Sequence, residues 1–119
     1  QVLSYGYARA EKARMAAADA AAAQMALANA GLTVSDLAAV TTHNPFRVND
    51  IIMGRLLNIP EGIFNNYGSS LVFGHPQGPT GTRCTVELIE ELVKLGGGYG
   101  LFAGGAAGAA AAAVVVKVS

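Results

Sequence analysis

The sequence predicts an α/β layered domain, because helical segments alternate along it with short, buried apolar strands. Two helical patterns and four strand-like runs carry that reading. Residues 14–30 are Ala-rich, and residues 82–95 set Val86, Leu88, Ile89, Leu92, Val93 and Leu95 between Glu87, Glu90, Glu91 and Lys94. The runs at 2–8, 37–43, 99–103 and 111–118 are short and apolar, as strands are. A chain of 119 residues is long enough for one domain around a single core.

Taken in order, VLSYGYA (2–8) opens the chain as a strand. Ala is the best helix former, so residues 14–30 form a helix by propensity, with Gly31 as its C-cap. Its small side chains permit close packing against a neighbouring element. Ser35 and Asp36 then turn the chain into a buried strand at 37–43. Pro45 starts a second helix, with Val48, Ile51, Ile52, Arg55 and Leu56 at helical spacing, and it stops before Pro60. Residues 58–82 read as one long loop, and a loop of that length in a compact domain points to function. The amphipathic helix follows, with Glu87, Glu90, Glu91 and Lys94 as its solvated face. Gly96, Gly97 and Gly98 end it, and the last two strands pair around a bend from Gly104 to Gly108.

Composition excludes several classes of function. Half of the residues are apolar, which rules out a disordered chain. The formal net charge is zero, with Arg and Lys scattered, so there is no electrostatic footprint for nucleic acid. Arg9, Lys12 and Arg14 make only a small basic cluster. The apolar tail is Gly/Ala-dominated and ends in a β-branched run, which reads as buried structure and not as a membrane span. The start lacks the apolar core of a signal peptide. The single cysteine, Cys84, has no internal disulfide partner, as in a reducing compartment such as the cytoplasm. No metal-ligand motif is evident.

The chemistry concentrates in Gly74-His75-Pro76-Gln77-Gly78-Pro79-Thr80-Gly81, directly before a helix. Gly and Pro on either side hold His75 on a stiff, sharply turned backbone where no Cβ crowds a ligand. The helix that follows offers free N–H groups and a positive dipole end. Such a histidine suits a general base or a group that polarises a thioester carbonyl, although a purely structural turn fits the same residues.

This pattern resembles the C-terminal part of the thiolases. GHPQGPTGTR (74–83) and ELIEELVKLGGGYGLF (87–102) follow the family pattern, and AGLTVSDLAAVTTHNPF (30–46) is similar to the segment that leads into its Asn-Glu-x-Phe box. The likeness covers nearly the whole chain. His43 stands where most thiolases have Asn, as in the sterol-carrier-type branch.

The resemblance implies the C-terminal half of the thiolase fold, with layered helices on a mixed sheet, over residues 1–119. It implies an acyltransferase that acts on coenzyme A thioesters, by thiolytic cleavage or Claisen condensation of a 3-oxoacyl-CoA, in lipid or aromatic-acid metabolism. His75 then activates the nucleophile and donates to an oxyanion, and His43 builds an oxyanion hole, with Asn44 beside it. Residues alone also allow His43 to cap the second helix. Gly74, Pro76, Gly78 and Phe46 fall at the substrate. The family's acid/base cysteine falls on Gly105, which has no proton to move, and Cys84 reads as a small buried apolar residue. Arg83 reads as an exposed helix-start arginine or a contact to CoA phosphate.

The nucleophilic cysteine belongs to the family's N-terminal half. The expected partners are therefore an acyl-CoA substrate and that N-terminal half or a second subunit, in a homo- or hetero-oligomer, with no cofactor. The alternative is a non-catalytic thiolase-like subunit that binds CoA thioesters or a partner protein. A chain that begins with Gln and would expose apolar helix faces by itself reads as a piece of a larger enzyme.

Overall fold

A computed structural model describes residues 1–119. The elements are β1 (Val2–Arg9), α1 (Met15–Ala30), β2 (Leu37–Thr42), α2 (Arg47–Leu57), α3 (Ser69–Phe73), α4 (Thr80–Lys94), β3 (Gly98–Ala106) and β4 (Ala110–Val118). They form one mixed sheet in the order β1-β4-β3-β2. β4 pairs antiparallel with both β1 and β3, and β2 pairs parallel with β3. This is the α/β layered domain that the alternating pattern predicts.

The two faces of the sheet are packed by different means. On one face, α1 turns Ala18, Ala22, Ala23 and Ala26 inward, all fully buried. A Cβ on Gly6 would run into the Ala22 carbonyl, so backbone rests on backbone there and only Gly fits in β1. The Ser4 hydroxyl donates to the Ala26 carbonyl at 2.6 Å and fastens the contact. Met53, Leu57 and Ile59 at the end of α2 complete this core. On the other face, Leu88 and Leu92 of α4 pack with Ala39 and Val116.

Four boundaries differ from those the sequence predicts. α2 begins at Arg47, because Pro45 lies in the extended approach and Phe46 is its N-cap. The long loop holds a short helix, α3, whose five residues are too few for a periodic pattern. α4 begins at Thr80, two residues early, with Pro79 as its N-cap. The hairpin turn is tighter than Gly104 to Gly108, for Gly104 and Gly105 pair with Ala112 and Ala111 inside the strands.

The predicted solvated face of α4 is also corrected. Glu91 is only 3% exposed and Glu87 is half-buried, while Val86 and Val93 are more than half exposed. The reason is a polar anchor. Asn66, in the loop before α3, donates to Glu91 at 2.7 Å, and Arg83 pairs with Glu87 at 2.8 Å. Leu71, Val72 and Phe73 on α3 are exposed as well, so α3 and α4 together present apolar surface.

Candidate active site

The parallel pairing of β2 with β3 places the end of β2 beside the middle of the β3–β4 hairpin. His43 follows β2, and its backbone N–H extends the ladder by donating to Ala103. Its ring is 4% exposed, and Nδ1 accepts a hydrogen bond from the Gly105 backbone N–H at 3.2 Å. A ring nitrogen that accepts from an N–H carries no proton, so in neutral His43 the proton sits on Nε2. Nε2 is buried and has no partner. Burial above all, and the neighbouring His75, push the His43 pKa down to about 4, which keeps the ring neutral at physiological pH. His43 is thus a fixed, neutral N–H donor, and it does not cap α2.

His75 approaches from the Gly-Pro turn between α3 and α4. It is exposed, and its Nδ1 lies 3.0 Å from the hydroxyl of Thr80, the first residue of α4. The two rings meet edge to face with centroids 5.6 Å apart. Both rings line a cavity of about 180 Å³, together with Gln77, Thr80, Phe102, Gly104 and Gly105 among others. Such a volume holds roughly six water-sized groups, enough for the reacting end of a thioester but not for a whole CoA.

The other expected site residues lie elsewhere. Asn44 is buried with both ends of its amide engaged: Nδ2 donates to Asp50 at 2.9 Å, and Oδ1 accepts from the Ser70 N–H at 2.8 Å. It ties the end of β2 to α2 and α3. Phe46 is 63% exposed at the start of α2, outside the cavity. Gly74, Pro76 and Gly78 flank His75 on the exposed turn, and space is open where a Cβ on Gly74 or Gly78 would stand. Arg83 is neither an exposed arginine nor a free phosphate ligand. It is half-buried, bound to Glu87 and Ser70, and lies over the Phe73 ring. Cys84 is fully buried against Ser69 and Thr42, and burial raises its pKa, as an inert packing residue requires.

Gly105 has surroundings that the sequence does not reveal. A Cβ there would stand 2.5 Å from both Oδ1 of Asp19 and Cγ of Met15, on α1. Asp19 is fully buried, and the sequence shows it only as one polar residue in an Ala-rich helix. The available signal is that Asp19 is the sole charged residue between Met15 and Ala30. Thr80 and Gln77 stand out in the sequence only as parts of a turn. A larger groove of about 750 Å³ runs beside α2, lined by Arg47, Asp50, Arg55 and Glu61 among others, but it holds neither histidine.

Known proteins share this fold. The family described as "Thiolase, C-terminal domain" matches residues 1–118. The 3-ketoacyl-CoA thiolase of Escherichia coli O7:K1 (strain IAI39 / ExPEC) is 33% identical in an alignment that covers 78% of this chain and 25% of that protein. Beta-ketothiolase BktB of Cupriavidus necator is 33% identical over 101 residues, 85% of this chain and 26% of its own length. The crystal structure of human mitochondrial 3-ketoacyl-CoA thiolase in complex with CoA superposes with a TM-score of 0.95 at 26% identity, over 99% of this chain and 30% of that one. The chain thus spans about a quarter of the length of the curated relatives it matches. It belongs to the thiolase family, as a thiolase C-terminal domain.

Proposed function

We propose that this chain serves a thiolase-type acyltransferase, which moves an acyl group between CoA thioesters by thiolytic cleavage or Claisen condensation of a 3-oxoacyl-CoA. The observation that carries the reading is the pair of adjacent histidines lining one small cavity, one a fixed neutral donor and the other exposed on a stiff turn. In this reading the thioester oxygen sits against Nε2–H of His43, where charge develops on the oxygen. His75 takes the proton from the attacking thiol. That thiol comes from an N-terminal half or a second subunit, since Cys84 is buried. The same partner covers the apolar surface of α3 and α4. The substrate is a CoA thioester, and the reaction needs no further cofactor. No helix is long and apolar enough to cross a membrane, and a free thiol suits the cytoplasm.

A second reading, a non-catalytic subunit that binds CoA thioesters, draws on Gly105, which offers no side chain for proton transfer. The test is acyl-enzyme formation by the assembled protein with acetyl-CoA, followed by mass spectrometry. A covalent acyl group that His75→Ala abolishes supports the enzyme. Binding without acylation supports the alternative.

A further inference from the structure

The Claisen reading leaves one proton without a carrier. Condensation must remove a proton from the α-carbon of the second thioester, and the leaving CoA thiolate must gain one. His43 is locked as a donor through Gly105, and Asp50 is engaged by Thr42, Asn44 and Asn65. Glu87 and Glu91 of α4 are tied to Arg83 and Asn66. One buried acid beside the cavity wall remains. Asp19 is fully buried, and its Oδ2 accepts from the Asn49 amide at 3.1 Å. Its Oδ1 has no partner and stands 2.5 Å from where the Cβ of residue 105 would be, behind a glycine that lines the cavity.

We infer that Asp19 is the second proton carrier of the reaction, with its Oδ1 in the volume left by the missing side chain at Gly105. This rests on the acyltransferase reading. The Asp19 carboxylate takes the α-proton, and the enolate oxygen is held by His43 Nε2–H. The carbanion forms the C–C bond to the acyl carbonyl, and the C–S bond to the partner cysteine breaks with its thiolate leaving. The proton on Asp19 passes to the CoA thiolate of the next acylation only after its C–S bond has broken, so acylation itself does not wait on Asp19. Burial raises the Asp19 pKa to about 6, which suits a group that takes and returns protons near neutrality. The Met15 side chain shares the Gly105 volume, is unbranched and is partly exposed, so its rotation opens Asp19 to the cavity.

The experiment uses the assembled protein with acetyl-CoA in deuterium oxide, and follows both exchange of the acetyl protons and acyl-enzyme formation. Asp19→Asn keeps the size and the Asn49 contact; exchange falls on the order of 10²-fold or more while acylation changes less than about threefold. Asp19→Ala combined with Gly105→Cys puts a thiol in the vacated volume and recovers exchange relative to Asp19→Ala alone. Exchange at the unaltered rate in Asp19→Asn overturns the proposal, and so does an equal loss of exchange and acylation, which marks a structural role. Gly105→Ala is the check should Asp19→Asn fold poorly: its methyl displaces the carboxylate, and retained exchange overturns the proposal equally. If the unaltered protein neither acylates nor exchanges, the acyltransferase reading itself falls.

Discussion

His43 and His75 line one cavity side by side, and the chain holds them in opposite ways. His43 ends a buried strand, is almost without exposure and has its tautomer set by a backbone N–H. His75 sits on an exposed turn of Gly and Pro and touches one hydroxyl, that of Thr80. Fixing a ring by burial and a backbone partner makes a preorganised donor, which costs no reorganisation when charge develops. Leaving a ring at the solvent edge keeps it able to take and give protons. In the proposed reaction one residue type thus serves two roles, separated by backbone context.

The largest effect that follows is at His75. His75→Ala should lower acyl transfer on the order of 10²-fold or more, the range for a lost general base. His75→Asn should lose as much, because an amide donates but cannot carry the proton. Stability should move by less than about 0.5 kcal/mol, since the side chain is exposed. Steady-state rates and denaturant midpoints measure the two. A His75→Asn variant that keeps its rate would make both rings plain donors and erase the contrast.

The next effect is at His43. His43→Leu removes the Nε2–H donor and should cost on the order of 10²-fold in rate. His43→Asn restores an N–H in the same pocket and should stay within about tenfold of the unaltered rate, read by the same assay. On this prediction a donor is sufficient at 43, whereas at 75 it is not.

His75 is legible in the sequence because Gly-His-Pro marks itself by local backbone chemistry, whereas His43 is legible only through the resemblance of His-Asn-Pro-Phe to the family's Asn-Glu-x-Phe box. What brings the two rings within 5.6 Å of one another is the packing of α4 on the sheet, through Leu88 and Leu92 against Ala39 and Val116, with Thr80 of α4 holding His75, and no spacing along the chain encodes that. The same limit explains the misses. Periodicity ranks α4 residues by their own polarity, so it exposes Glu91, whose partner Asn66 lies 25 positions earlier. The strands and the Ala-rich helix are legible because each is locally consistent in its residue pattern. α3 is not, with five residues between two glycines. Asp19 is hidden for the reason that Glu91 is: its environment comes from β3 and α2, far along the chain.

The smallest effect is on stability against pH, and it turns on His43 and Asp19 together. His43 has its pKa lowered from 6.5 to about 4 by burial and by His75, so between those values the unfolded chain binds a proton that the folded one does not. Its contribution to stability is present above 6.5 and is lost as pH falls through about 4. Asp19 runs the other way. Burial raises its pKa from 3.8 to about 6 against the pull of Asn49, with Asp50 adding to the rise, so the folded chain holds the proton that the unfolded one has released. Its contribution is present below 3.8 and is lost as pH rises through about 6. Each amounts to about 3 kcal/mol at most, because every tenfold change in proton affinity on folding is worth about 1.4 kcal/mol. Between pH 4 and 6 the two oppose each other, and together they leave the unaltered protein nearly flat. Asp19→Asn removes the falling limb, so its denaturant midpoint should climb with pH from 4 to 6.5. His43→Asn removes the rising limb, and its midpoint should fall from pH 4 to 6. Parallel curves for all three proteins would show that neither group changes its proton affinity on folding, and the fixed neutral donor at His43 would lose its physical basis.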